Sequence, residues 1–289
     1  MVNTDGRLVP SEQAVVSVFD RGFLSGDSVY EVVRSYRGVP FELGAHLARL
    51  ERSARLIGLG LPMPLERIGA EVQHTGDATG NPESYARIIA TRGSRELGLE
   101  PGLAHDGRLI VIAKELVPPP PEAYERGVRL ALVERRRNEA LDLQAKTGNY
   151  LNNVLAMEQA KARGAYEALM LNTHGRITEA ASANVFLVQA GALCTPPLAA
   201  GILEGVTRRV VIALARGLGL PVHERDLVLD DLFSADEAFI TSTTRELVPV
   251  VAVWQGELER PIGSGAPGPL TRRLLGEFRD RAQRLSTRR

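Results

Sequence analysis

The run Val117-Pro118-Pro119-Pro120-Pro121 lies in the interior of a 289-residue chain. Consecutive prolines lack the N–H that a helix or a central strand needs, and each fixes φ. The run is therefore expected to be a stiff, extended connector that no regular element crosses. A chain of this length holds two modest domains, at the usual ~100 to 200 residues each. We expect a small N-terminal α+β domain over 1–116, a Pro-rich linker over 117–122 and a larger domain over 123–289.

Patterning on each side supports this division. Residues 8–18 and 30–43 carry β-branched and aromatic side chains punctuated by Asp5-Gly6 and Arg37-Gly38, the pattern of strands and hairpins. Leu47, Leu50, Ala54 and Ile57 follow a helical period, a second helix is expected over 65–72, and strands over 86–91 and 108–113. Beyond the linker the pattern predicts a strand over 128–133 and a helix over 150–163 with Leu151, Val154 and Leu155 on one face. Strands over 168–172 and 184–189, helices over 206–216 and 229–233, strands over 238–241 and 248–254, and a helix from Leu270 complete the series. Strands and helices mix without a regular β-α-β repeat, so the fold class is α+β.

Charge and composition exclude several functions. The 35 basic and 35 acidic side chains cancel, and neither stretch of chain is a charged arm, so a protein built to coat nucleic acid or an anionic membrane is not expected. Cys194 has no partner in the chain, which fits a reducing, cytoplasmic setting. The five histidines are at least 28 residues apart, which leaves no local metal-ligand spacing. No apolar stretch approaches the ~20 residues that span a bilayer, and the N-terminus has no signal-peptide core.

The basic residues are 32 Arg and only three Lys, at 114, 146 and 161. Chemistry that needs a primary amine thus has three candidates. Lys161 sits on a polar helix face and Lys114 ends a strand beside Glu115; both read as surface charges. Lys146, in Gln144-Ala145-Lys146-Thr147-Gly148-Asn149, lies between a strand-like region and a helix start, with a glycine that permits close approach. Two further segments could receive an anion. Gly201-Ile202-Leu203-Glu204-Gly205-Val206-Thr207-Arg208 runs from a glycine turn into a helix, whose first-turn amides attract phosphate. Thr241-Ser242-Thr243-Thr244 offers four hydroxyls at a strand end. Each is also compatible with ordinary capping and loop hydrogen bonding.

The order of these segments carries more than any one of them. The run from Asp20 to Arg34 (Asp-Arg-Gly-Phe-Leu-Ser-Gly-Asp-Ser-Val-Tyr-Glu-Val-Val-Arg), His46-Leu47-Ala48-Arg49-Leu50, Lys146-Thr147-Gly148-Asn149, Thr178-Glu179-Ala180-Ala181-Ser182-Ala183-Asn184-Val185-Phe186, Gly205-Val206-Thr207-Arg208 and Ser242-Thr243-Thr244 together resemble the class IV, fold-type IV pyridoxal-phosphate (PLP) aminotransferases. The resemblance spans almost the whole chain. It implies a small N-terminal domain, a larger C-terminal mixed α/β domain and the cofactor between them. It implies that Lys146 is the Schiff-base lysine and proton shuttle. Glu179 would keep the pyridine nitrogen protonated so that the ring can accept electrons. Arg49 would grip the phosphate, with Val206, Thr207, Gly205 and Leu203 around the helix start and Ser242 and Thr243 completing the cup. Ser182, Ala183 and Asn184 would support the ring and its carboxylate. Tyr30 and Thr244 would face the substrate.

The implied reaction is a ping-pong transfer from a small-molecule amino donor to a 2-oxo acid acceptor such as 2-oxoglutarate or pyruvate, by a homodimer. The Ser182-Ala183-Asn184 version of the motif resembles D-amino-acid aminotransferases, which gives a D-amino acid, with (R)-primary amines as an extension, as the expected donor. In that group an Arg and a His two positions apart follow Thr-Arg-Gly. Here Thr91-Arg92-Gly93-Ser94-Arg95-Glu96-Leu97 keeps the Arg and has Leu97 in place of the His. Arg87, in a Tyr-x-Arg arrangement similar to that of branched-chain enzymes, competes with Arg92 and Arg95 for the substrate carboxylate. The alternatives are a branched-chain L-amino-acid aminotransferase and a pyruvate-eliminating enzyme similar to aminodeoxychorismate lyase.

Overall fold

The computed structural model describes residues 1–94, 96–98, 100, 106–136 and 144–286. The chain divides into two compact units. The first comprises Met1–Val117, Ala145–Asn149 and Ala282–Arg289, and the second Pro118–Gln144 and Tyr150–Arg281. This differs from the division expected at the proline run in two respects: the five residues around Lys146 and the C-terminal segment Ala282–Arg289 belong to the first unit.

In the first unit the elements are β1 (Val2–Thr4), β2 (Arg7–Val9), α1 (Arg21–Ser25), β3 (Ser28–Tyr36), β4 (Val39–Pro40), α2 (Leu43–Leu56), α3 (Leu65–Asp77), β5 (Ser84–Thr91) and β6 (Arg108–Glu115). The strands form an antiparallel sheet in the order β2-β1-β6-β5-β3-β4. Asp5-Gly6 and Arg37-Gly38 are the two-residue turns of its hairpins, and all four residues have φ between 50° and 91°. Positive φ at both central positions matches the right-handed twist of the flanking strands. The strand expected over 8–18 ends at Val9, because Pro10 cannot donate to a ladder and starts a single 3-10 turn, Ser11–Gln13.

Alternation along β3 sends Val29, Glu31 and Val33 to one face and Tyr30, Val32 and Arg34 to the other. On the first face Val29 and Val33 join Ile88, Leu109 and Val111 from the neighbouring strands. Leu47, Leu50 and Ala54 of α2 and Ile68 and Val72 of α3 close this core. Residues 145–149 return to the edge of β3 that β4 leaves open. The Tyr30 amide donates to the Lys146 carbonyl and the Gly148 amide to the Ser28 carbonyl, each at 2.9 Å. A Cβ on Gly148 would come within 2.5 Å of the Ser28 hydroxyl, so this close pairing requires glycine.

The second unit opens with α4 (Pro121–Glu125), which corrects the expectation that all four prolines are extended. Pro121 occupies the first helical position, where its missing N–H has no partner to lose and its φ suits the helix. Then follow β7 (Val128–Arg136), α5 (Leu151–Ala162), β8 (Glu167–Leu171), β9 (Ile177–Ala180), β10 (Asn184–Gln189), β11 (Ala192–Thr195), α6 (Val206–Gly217), β12 (Val222–Glu224), α7 (Leu229–Phe233), β13 (Glu237–Ser242), β14 (Glu246–Gln255), β15 (Leu258–Pro261) and α8 (Pro269–Ser286). The sheet runs β12-β11-β10-β13-β14-β7-β8-β9, with β15 on β14. It also curls back on itself, since β9 meets β10 through the single pair Glu179 and Asn184.

Helix α5 packs through Ala156 and Ala160 onto Ala131, Val133, Ala168 and Met170. The apolar face expected for it is instead outward: Leu151 is 69% and Val154 59% exposed. Alanines allow the helix backbone to approach the sheet closely, and a pattern read from large apolar side chains overlooks them.

Candidate active site

The first unit holds Lys146, the candidate amine. Lys146 Nζ lies 3.2 Å from the Tyr30 hydroxyl and 4.3 Å from the centre of its ring. The Lys146 amide donates to Ser53 Oγ at 3.0 Å, so α2 and β3 together fix the lysine's backbone. Arg87 shares the Tyr30 face of the sheet, because Val32 pairs with Arg87 as Tyr30 pairs with Ile89. Its guanidinium stands 4.0 Å over the Tyr30 ring, a favourable cation–π placement. Tyr30, Arg87 and Lys146 thus converge on one patch.

Arg92, the second carboxylate candidate, is otherwise engaged. Nε donates to Asp27 at 2.7 Å, Nη1 to the Gly58 carbonyl at 2.7 Å and Nη2 to the Ile57 carbonyl at 2.9 Å. Arg21 reaches the same Asp27 oxygen at 3.0 Å. Burial would raise the Asp27 carboxyl, but these two guanidinium groups hold it below its ordinary value. Arg92 ties the segment after α2 to the end of β5, and all three of its nitrogens are committed to that tie. Arg95, the third candidate, lies outside the described residues.

Beneath the same strand Arg49, expected at the phosphate, joins Glu31 and His46, which the sequence left unassigned. Glu31, fully buried, accepts from Arg49 Nε at 2.6 Å and Nη2 at 2.7 Å. His46 Nδ1 stands 2.8 Å from Glu31 Oε2. Burial alone would raise the Glu31 carboxyl; the Arg49 charge and hydrogen bonds, with the His46 hydrogen bond, outweigh it and hold it at about 2. Burial lowers His46, and the Arg49 and Lys146 charges add to that against the pull of Glu31. An ionised carboxylate can only accept, so the His46 Nδ1 carries the proton. The signal was present: Val29-Tyr30-Glu31-Val32-Val33 puts a carboxylate on the apolar face of a strand, where it must find donors.

The second unit holds the residues expected around a phosphate and a pyridine ring. Glu179, at the β9–β10 closure, is buried, and its Oε2 accepts from Asn184 Nδ2 and from the Leu203 amide, each at 3.1 Å. Asn184 Nδ2 also donates to the Leu203 carbonyl at 2.9 Å. The Ala180 amide donates to Ala183 O at 2.7 Å, which sets the tight turn between the strands. Helix α6 begins at Val206 behind Gly205, which supplies no side-chain cap. Val206 and Thr207 are buried in its first turn. A Cβ on Gly205 would overlap Asn184 Oδ1, so glycine lets the helix start lie directly against the Glu179 pair.

Ser182 and Ser242 are gathered into a second network not foreseen from the sequence. Arg245 donates to the fully buried Glu167 at 2.7 Å, to Ser182 Oγ at 2.8 Å and to Ser242 Oγ at 3.0 Å. The Ser182 hydroxyl donates to Glu167 Oε2 at 2.7 Å. Arg245 therefore ties the β9–β10 turn to the hydroxyl run after β13, where Thr243 and Thr244 are half-buried. Among the described residues no group of three or more His, Cys, Asp or Glu side chains could hold a metal. No described helix is long and apolar enough to cross a membrane.

Comparison with known proteins identifies the family. The model of the amino-transferase class IV family matches residues 28–253. A putative branched-chain-amino-acid aminotransferase of Methanocaldococcus jannaschii is 40% identical over 278 residues, covering 96% of this chain and 94% of that protein. A D-alanine aminotransferase of Bacillus licheniformis is 33% identical over 270 residues, 93% of each. The crystal structure of a T.th. branched-chain amino acid aminotransferase with pyridoxamine 5'-phosphate superposes with a TM-score of 0.91 at 32% identity, covering 97% of this chain and 93% of that one.

Proposed function

The chain belongs to the class IV amino-transferases, as a fold-type IV transaminase, and from that premise we propose that it uses PLP to move the amino group of a branched-chain L-amino acid to a 2-oxo acid by a ping-pong route. The observation that carries the donor is Arg87 stacked on Tyr30 beside Lys146. After Thr91-Arg92-Gly93, the His that would serve a D-amino acid beside Arg95 is replaced by Leu97, and Arg92 itself is spent on Asp27, Ile57 and Gly58.

The donor set fits PLP. A buried carboxylate already oriented by Asn184 and the Leu203 amide suits a pyridinium N–H. A helix start behind a side-chain-free Gly205 suits a phosphate. Glu179 would hold the pyridine nitrogen, backed by Asn184, with Ser182 and Ala183 forming the turn beside it. The Val206 and Thr207 amides, Arg49, Ser242 and Thr243 would hold the phosphate, and Lys146 would attach the cofactor. Bound PLP supplies an electron sink for the bond broken at the substrate Cα.

The chain's own groups do the rest. The Lys146 amine moves the proton at Cα, and the Tyr30 hydroxyl at 3.2 Å orients it. Arg87 anchors the donor carboxylate, and Thr244 borders the same substrate. A second copy of the chain covers the apolar side chains left outside. Val15, Val16, Val18, Phe19, Phe23 and Leu24 are all exposed in the first unit, and Leu151 and Val154 in the second. Their exposure supports an interface and, with it, a homodimer as the working form. Its setting is the cytoplasm, consistent with Cys194 as the only cysteine.

One observation favours a second reading, a D-amino acid donor: the Ser182-Ala183-Asn184 motif, together with the B. licheniformis relative. Spectral half-reactions of the PLP-loaded protein with L-leucine, L-valine, D-alanine and D-glutamate separate the two. Conversion by the L-amino acids alone supports the branched-chain assignment, and conversion by the D-amino acids alone refutes it.

A further inference from the structure

We propose that Glu31 is a positioning residue for the phosphate of PLP, acting entirely through Arg49. The proposal rests on the assignment of Arg49 to that phosphate. Three observations within the first unit carry it.

First, the Nε and Nη2 edge of Arg49 is taken side-on by both oxygens of Glu31, at 2.6 and 2.7 Å. A planar guanidinium gripped along one edge has its remaining donors fixed in direction. An arginine side chain otherwise loses much of its rotamer freedom only when a ligand immobilises it. Glu31 imposes that loss during folding, before any phosphate arrives.

Second, His46 and Arg49 lie one turn apart on α2 and both reach the same carboxylate. Glu31 is thereby held from two points of one helix and cannot follow Arg49 toward a ligand. His46 is 1% and Glu31 0% exposed, so water does not compete for these bonds.

Third, the same helix carries Ser53, four residues after Arg49, and Ser53 accepts from the Lys146 amide. Residues four apart on a helix rise by ~6 Å. Helix α2 is thus a rigid ruler between the backbone of the amine-bearing residue and the arginine, and Glu31 fixes the arginine end of it. Neutralising Arg49 is not what the carboxylate contributes: a phosphate dianion would be attracted more strongly without it. Glu31 trades attraction for direction.

That trade gives the test, since charge and positioning predict opposite signs. The measurement is the ratio of pyridoxal to PLP dissociation constants for the full-length protein, which isolates the phosphate. If Glu31 positions Arg49, Glu31→Gln lowers this ratio about tenfold, the value of one charge-assisted hydrogen bond, while pyridoxal binding alone stays unchanged. In an Arg49→Ala background Glu31→Gln then has no further effect. Glu31→Asp, which keeps the charge and shortens the reach, gives an intermediate loss and serves if Glu31→Gln does not fold. A ratio that rises or stays level in Glu31→Gln or Glu31→Asp while Arg49→Ala lowers it overturns the proposal. So does equal weakening of pyridoxal and PLP, which would mean a structural role only. A ratio unchanged in Arg49→Ala instead refutes the assignment of Arg49 to the phosphate.

Discussion

Replacing Gly205 by alanine probes the joint between the α6 start and the Glu179 pair. The backbone there, φ −67° and ψ 134°, is open to any residue, so the substitution carries no conformational strain. The new methyl, however, would overlap Asn184 Oδ1, and Arg208 Cβ at 3.2 Å blocks retreat on the other side. Asn184 must move, and with it go its hydrogen bonds to Glu179 Oε2 at 3.1 Å and to the Leu203 carbonyl at 2.9 Å. A bond to a buried carboxylate is worth ~1.5–3 kcal/mol and a neutral one ~1, which gives a total of about 3 kcal/mol. At ~2–4 °C per kcal/mol the melting temperature falls by ~6–12 °C. PLP affinity should fall with it, because Glu179 loses a partner that orients it. A double-mutant cycle isolates the cause. In an Asn184→Ala background the obstacle is gone, and Gly205→Ala should then cost only the helix-cap difference, under about 1 kcal/mol. Thermal unfolding of the four proteins, with PLP titration of each, measures this. Equal costs of Gly205→Ala in both backgrounds would refute the argument that Asn184 is the wedge.

Three further outcomes are expected. Arg87→Ala should reduce kcat/KM for the amino donor ~10–100-fold with an unchanged melting temperature, whereas Arg92→Ala should lower the melting temperature first, since its bonds hold loops together; the reverse pattern would exchange their roles. Urea midpoints should fall on acidification in two stages: His46, whose folded value is depressed, loses stability as pH drops below about 6.5 because only the unfolded chain takes up the proton. Glu31 then loses ~3 kcal/mol between pH 4.5 and about 2, and Glu31→Gln should shrink that second stage to what Asp27 and Asp231, also held low, contribute. Arg245→Ala should destabilise the protein by ~3–5 kcal/mol, because Glu167 would stay fully buried without its cation, and the Glu167→Gln/Arg245→Met pair should recover much of that loss in chemical denaturation.

What could be read from the sequence follows from how local each signal is. The Asp5-Gly6 and Arg37-Gly38 turns were legible because a positive φ is a demand made at one residue. The order of chemistry-bearing segments was legible because each is a short contiguous run. The place of Lys146 in the first unit was not, since its pairing with β3 spans more than a hundred residues and uses only backbone groups. The outward face of α5 was misread because alanine, with little side chain to signal burial, does the packing there.

Buried carboxylates stand between these cases. Glu31, Glu167, Glu237 and Glu246 all sit in strands among apolar neighbours, and that alone implies a partner for each. Which partner is a tertiary fact. Glu31 takes Arg49 and His46 from α2. Glu167 takes Arg245. Glu237 accepts from the Leu270 and Thr271 amides and so caps α8. Glu246 takes Arg279. Two of the four, Glu31 and Glu167, support residues assigned to the cofactor, Arg49 in one case and Ser182 and Ser242 in the other. The other two brace α8. A strand carboxylate on an apolar face therefore announces a constraint on the fold, and only its partner tells whether the constraint serves the chemistry. Here the partner of Glu31 is itself assigned to a ligand, and for that reason Glu31 is the carboxylate whose removal should read out in binding before it reads out in stability.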